Sequence, residues 1–275
     1  MTNILIIARK EIQEGLRNRW VLATTLLLAA LSLTLSFLGS IPTGTVGVNS
    51  LDVVIVSLSS LTIFLVPLIA LLLSHDAIVG EAERGTLLLL LSYPLGRKEV
   101  VFGKFLGHLA ILAFATLFGY GAAVIALTTT GSDIGRESWA GFIYMVGSSI
   151  LLGAVFLAIG YFTSVIARER STAGGIAIGV WLFFVLIYDM ALLGGLVAAQ
   201  GQAVSGALLD TLLVANPTDA YRLLNLGFGN AGSVSGMGGV ASHTSLSASV
   251  LVSALVVWTI VPLCGAMFIF SRREL

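Results

Sequence analysis

Charge is scarce in this chain. Of its 275 residues only 10% are Asp, Glu, Lys or Arg, 57% are hydrophobic, and the mean hydropathy is +1.03. Soluble domains run near 25% charged, so a soluble fold is excluded and the chain reads as an integral membrane protein whose length is used up by spans and loops. Cysteine is almost absent. Cys264 is the single one and lies in an apolar run, which excludes a disulfide framework and a cysteine metal cluster. Histidine is limited to His75, His108 and His243, far apart and in no paired ligand spacing. The phosphate-cradling pattern G-x-x-x-x-G-K-[ST] is missing, so ATP is not held by that route. The patterns G-x-S-x-G and H-E-x-x-H are missing too, and the intramembrane candidates Asp189 and His108 fall on different spans. These absences speak against an intramembrane enzyme. Met237 and His243 in a Gly/Ser-rich stretch are too few for a soft-metal site, which needs several converging ligands. No metal and no cofactor are expected.

What is present is a set of apolar runs. Spans are predicted over about 20–38, 51–73, 105–127, 139–166, 173–199 and 248–270, each long enough to cross at ~1.5 Å per residue. Pro67 and Pro262 fall inside two of them. Residues 1–19 read as an amphipathic helix in the membrane interface. Ile4, Ala8, Ile12, Leu16 and Trp20 recur at i+4, and Arg9, Lys10, Glu11, Glu14 and Arg17 take the other faces. A signal peptide is discounted, because the charged part is too long and no small-x-small cleavage site follows. With six spans both ends share a side. That side carries Arg9, Lys10, Arg17, Arg19, Arg84, Arg97, Lys98, Lys104, Arg168, Arg170, Arg272 and Arg273, against Arg136 and Arg222 opposite. The positive-inside bias then places both termini in the cytoplasm. The expected fold is a single all-α membrane domain with six spans, a cytoplasmic loop at 75–104 and an outer segment at 200–247 that dips back as two short helices before a mobile stretch.

The stretch between the second and third spans organises the rest. It reads EAERGTLLLLLSYPLGRKEVVFGKF from Glu81 to Phe105, with a leucine run too short to span. The pattern Glu-x-x-x-Gly-Thr-Leu, then Leu-Leu-Ser-x-Pro, then Arg and Gly-Lys resembles the first cytoplasmic loop of ABC-2-type transporter permeases. Leu88 and Leu89 stand where many members carry an acid. The resemblance implies that Glu81, Glu83, Arg84, Gly85 and Thr86 form the element that docks on an ATPase subunit, their acids hydrated or paired at a rim. Pro94, Gly103 and Lys104 belong to the same motif, and Asn216, Pro217 and Asp219 to a second one. The turn at Arg168, Glu169 and Arg170 is either a smaller contact for the same partner or a plain positive-inside turn.

Other positions keep two readings. Asp189, in the outer half of the fifth span, either lines a translocation path or transfers force, or it snorkels to the outer interface beside Tyr188 or a loop donor. Gly175-x-x-x-Gly179 hints at a dimer interface and Gly103-x-x-x-Gly107 at helix packing, in a chain with 31 glycines where chance matches are expected. Ser57, Ser59, Ser60 and Thr62 either line a cleft or bond their own helix backbone. The stretches ARKEIQEGLRNRWVLATT, FLGSIPTG and NPTDAYRLLNLGF carry a narrower resemblance within the family. It is to bacterial inner-membrane permeases that support copper-site maturation of periplasmic nitrous oxide reductase. That likeness implies a homodimer with ATPase subunits below and a periplasmic β-helical partner above. A general exporter of lipid or drug is the alternative.

Overall fold

The computed structural model describes residues 3–17, 19–39, 50–93, 95–129, 135–198, 206–226 and 246–273, and every regular element among them is helical. Pro42, Pro94 and the whole stretch 227–245, with Met237 and His243, lie outside the described residues. In chain order the helices are α1 (Asn3–Leu16), α2 (Arg19–Gly39), α3 (Ser50–Ser74), α4 (Val79–Glu83), α5 (Thr86–Leu91), α6 (Arg97–Thr129) and α7 (Arg136–Ile166). Then come α8 (Arg170–Leu182), α9 (Tyr188–Ala198), α10 (Gly206–Ala215), α11 (Pro217–Leu226) and α12 (Ala248–Arg272), with a π-helical segment Phe183–Ile187 joining α8 to α9. Five described helical stretches are long and apolar enough to cross a membrane. A sixth is counted if α1 and α2, bent by 69° to each other, act as one span.

Helix α7 is the centre of the bundle. Its Leu152, Val155, Phe156, Leu157, Ala158 and Tyr161 are fully buried, and it packs on α3, α6 and α12. Helix α6 runs 33 residues, or about 50 Å, so it outruns a bilayer core. It starts at Arg97, eight residues before the predicted span, because its first turn is capped. Glu99 Oε2 accepts from the Gly96 N–H at 3.0 Å and from Asn3 Nδ2 at 3.2 Å, half of a capping box. Gly103 in the extra turns and Gly107 just inside the predicted span form the surface on which α1 lies. A Cβ at Gly103 would stand 3.0 Å from the Ile4 carbonyl oxygen, and one at Gly107 2.5 Å from Glu11 Cβ. Only glycine permits this approach.

The amphipathic reading of α1 is corrected in one respect. Glu11 is buried, on the face it shares with Ile7 and Ala8, while Leu5, Ile6 and Leu16 are exposed. The stripe that packs follows i+3 and i+4 together, through Ile4, Ile7, Ala8, Glu11 and Gly15, and not the i+4 series alone.

The fifth predicted span is interrupted. A π-turn leaves backbone carbonyls out of the regular ladder, and the Phe184 carbonyl is taken by the start of α11, from Asn216 Nδ2 and Thr218 Oγ1, both at 3.1 Å. Asn216 also caps α11 itself. Its Oδ1 accepts from the Thr218 N–H at 3.0 Å, and Pro217 fills the first helical position. The Asn-Pro-Thr-Asp run is therefore a helix start whose cap also serves a neighbouring helix. Helix α11 buries Asp219, Tyr221 and Asn225 against the bundle. Each has a hydrogen-bonding partner, Tyr221 at Ser149 and Asn225 at Ser148. In α3, Ser57, Ser60 and Thr62 donate to carbonyls four residues back, and Thr62 also meets the Tyr120 hydroxyl at 2.5 Å.

Candidate functional site

The stretch after α3 turns through residues 75–78 into α4, breaks at Gly85 and resumes as α5. Gly85 has φ of 72°, the left-handed region where other residues are strained, so a glycine is needed to reverse the chain between the two short helices. Thr86 Oγ1 reaches back to the Glu81 carbonyl at 3.3 Å. The start of α4 is held by the core, since Ser164 Oγ on α7 accepts from the Ile78 and Val79 N–H groups at 3.1 and 3.2 Å. Glu83, Arg84, Gly85 and Thr86 are exposed.

Glu81 is not at a rim. It is 9% exposed, and its Oε1 accepts from Lys104 Nζ at 2.8 Å. Lys104, itself 3% exposed, donates equally to Glu11 Oε1 at 2.7 Å. Glu11 Oε2 lies 3.4 Å from His108 Nε2, and His108 Nδ1 pairs with the Tyr161 hydroxyl at 2.7 Å. The expectation of a hydrated Glu81 fails because Lys104, one turn of α6 above His108, is buried at the same level and needs carboxylates. Burial pushes the Glu11 carboxyl up, but Lys104 and then His108 outweigh it and hold the group below its ordinary 4.5. One ammonium thus fastens three separate segments, α1, α4 and α6.

The two cytoplasmic turns predicted from sequence meet. Glu83 Oε1 accepts from the Arg170 N–H at 2.6 Å, capping the first turn of α8, where a carboxylate is favoured. The Arg170 guanidinium reaches Asp76 Oδ2 at 2.8 Å. Glu169 is the residue before α8, and Arg168 and Glu169 are exposed beside it. Two further arginines cap helix ends nearby. Arg97 donates to the Arg273 carbonyl at the end of α12, and Arg273 donates to the Val165 carbonyl at the end of α7. A cavity of about 240 Å³ opens among these elements, lined by Glu11, Asp76, Glu81, Lys104, His108 and Arg170 among others.

A second cluster sits at the opposite end. Asp189, two residues after the π-segment, pairs with Arg222 on α11, and Arg222 also pairs with Asp219. The donor to Asp189 is thus an arginine of the outer segment. Burial pushes the Asp219 carboxyl up to about 7, with Arg222 opposing and Asp189 reinforcing the rise. Two carboxylates around one guanidinium leave one charge in excess, and a proton relieves it. Gly175 and Gly179 are exposed on α8, and a Cβ at either meets nothing within 4 Å. Among the described residues no group of three or more His, Cys, Asp or Glu is placed to hold a metal ion.

Sequence reasoning missed Glu11, Asp76, Tyr161, Ser164 and Arg222. For Glu11 a signal existed, since it falls on the packing stripe of α1. For the others nothing in local spacing marked them.

Residues 5–275 match the model of a family described as ABC-2 family transporter protein. The chain is 49% identical over 276 residues to a protein named probable ABC transporter permease protein NosY from Pseudomonas aeruginosa, covering 100% of both chains. It is also 49% identical over 276 residues to a protein of the same name from Stutzerimonas stutzeri, covering 99% of both.

Proposed function

This chain belongs to the ABC-2 family of transporter proteins, and on that premise we propose that it is the permease of an ABC transporter in which α4 and α5 receive the push of a cytosolic ATPase. The observation that carries the reading is the bridge between the two cytoplasmic turns, Glu83 to the Arg170 backbone and Arg170 to Asp76. It makes one continuous polar surface of Glu83, Arg84, Gly85, Thr86, Arg168, Glu169 and Arg170. Behind that surface, Ser164 ties α4 to α7 and Lys104 ties it to α6 and α1. Displacement of α4 therefore pulls on packed helices and not on a free loop, which is what force transfer needs.

The finer parts of the reading have separate support. The Lys/Arg asymmetry supports both termini on the cytoplasmic side, and the likeness to bacterial permeases supports a location in the inner membrane. Exposed Gly175 and Gly179, flanked by exposed Ile176 and Ile178, offer α8 as the contact between two copies of the chain. The likeness to NosY proteins supports a role in copper-site assembly of nitrous oxide reductase, with a periplasmic β-helical partner on the far side.

A crosslink tests the docking. In a Cys264→Ser background, Arg84→Cys should crosslink to the co-expressed ATPase subunit, while Arg136→Cys, at the opposite end, should not. Crosslinking from position 136 and none from 84 would reverse the orientation and end the reading.

A further inference from the structure

Glu81 holds an unused charge. Its Oε1 is taken by Lys104 at 2.8 Å, but its Oε2 is buried with no hydrogen-bond partner among the described residues. Native proteins rarely leave a carboxylate oxygen out of water without a donor. Of the donors nearby, Arg84 is exposed on the cavity wall and does not reach this oxygen, and the others are committed. Lys104 also serves Glu11, Arg170 serves Asp76, and Thr86 bonds the Glu81 backbone and not its carboxylate. The cavity that Glu81 lines repeats the imbalance. Glu14 pairs with Lys10 and Asp76 with Arg170, but Glu11 and Glu81 share the single Lys104 ammonium, so one negative charge remains among those three when His108 is neutral. The rest of the wall is aliphatic, with Leu72, Leu73 and Ile111. A charged head on an apolar stem suits such a wall, as in lysine and arginine.

We propose that Glu81 Oε2 and this cavity receive a lysine or arginine side chain of the cytosolic ATPase subunit, which rests on the docking reading given above. The incoming cation completes the count of charges and supplies the missing donor. Docking then adds a fourth segment to the cluster that already joins α1, α4 and α6, so the partner grips the permease inside its packed end and not only at its exposed turns.

The test is a double-mutant cycle on the assembled transporter in nanodiscs, with ATPase binding measured by titration of the purified subunit. Glu81→Gln keeps an oxygen for Lys104 and removes the charge. It should weaken binding about tenfold or more, as expected when one partner of a buried charge pair is truncated. Neutralising the Lys and Arg residues on the membrane-facing surface of the ATPase one at a time should then find one whose loss weakens the wild-type complex similarly. In the Glu81→Gln background the same change should act less than about twofold. Wild-type affinity for Glu81→Gln, or full additivity with every ATPase change, overturns the proposal and assigns the oxygen to water or a small cation. Should Glu81→Gln fail to fold, Glu81→Asp, which keeps the charge but shortens its reach, enters the same cycle with the same two outcomes. The Arg84→Cys crosslink separates the two levels. If it forms while the cycle is additive, only this contact fails. If it does not form, the docking reading fails and takes the contact with it.

Discussion

The two ends of the molecule solve the same problem with different chemistry. At one end a lysine lies between Glu11 and Glu81; at the other an arginine lies between Asp189 and Asp219. In both, one carboxylate oxygen is left without a partner among the described residues, Glu81 Oε2 and Asp189 Oδ1. The lysine cluster is deeply buried and its three members come from three segments, of which α1 also lies directly on α6. The arginine cluster is partly open, with Arg222 and Asp189 side chains 22% and 23% exposed, and it fastens the turn after the π-segment to α11. A compact ammonium shares its donors among converging chains, whereas a planar guanidinium forks between two groups on nearby backbone. The first arrangement makes a joint that many elements depend on. The second makes a clasp that loosens when it loses a proton.

Lys104→Met breaks the joint and should have the largest effect. It strands Glu11 and Glu81 in a buried site, and losing one partner of a buried ion pair costs about 3–5 kcal/mol. Most of the protein should be lost from the monodisperse fraction in detergent. Adding Glu11→Leu and Glu81→Leu should recover part of the loss, since the stranded charges then go too. A Lys104→Met protein with the wild-type melting temperature would mean that the cluster is not closed in the folded protein.

Glycine substitutions sharpen the comparison one step further. Gly107→Ala pushes a Cβ into Glu11 Cβ, 2.5 Å away, and into the Ala8 carbonyl, 3.0 Å away. That lifts α1 from α6, an overpacking worth about 1–3 kcal/mol. Gly179→Ala meets nothing within 4 Å in the single chain, so it should stay within about 0.5 kcal/mol for the isolated protomer. If α8 is the contact between copies, the same change should still weaken the dimer, read by crosslinking at neighbouring positions. Equal melting shifts for the two variants would contradict the packing described for α1.

The smallest effect separates the clusters by pH. Glu11 is held below its ordinary 4.5, so its contribution is in place above that value and is lost as pH falls through its lower folded pKa. Asp219 is raised from 3.8 to about 7, so the folded state binds the extra proton and stability falls as pH rises across that window. Melting temperature should therefore drop by a few degrees between about pH 5 and about pH 8. Asp219→Asn should flatten that slope without touching the acid limb set by Glu11. An unchanged slope in Asp219→Asn would remove the clasp from the account.

Much of this was legible in the order of residues. Apolar runs of bilayer length mark the spans, because a backbone in lipid must satisfy its own hydrogen bonds. Gly103-x-x-x-Gly107 marks a close helix approach, Asn216-Pro217 marks a helix start, and Gly85 marks a reversal, because each is decided by local sterics or a local cap. Tertiary structure alone decided where the charges go. Glu11 and Lys104 are 93 positions apart, and Asp189 and Arg222 are 33 apart. Taking a charge out of water is unfavourable unless a partner arrives, and the partner comes from whichever segment packing brings to the same depth. Local periodicity carries no trace of that meeting. Glu81 therefore reads from sequence as a surface acid, and only the depth of α6 at Lys104 makes it a buried one.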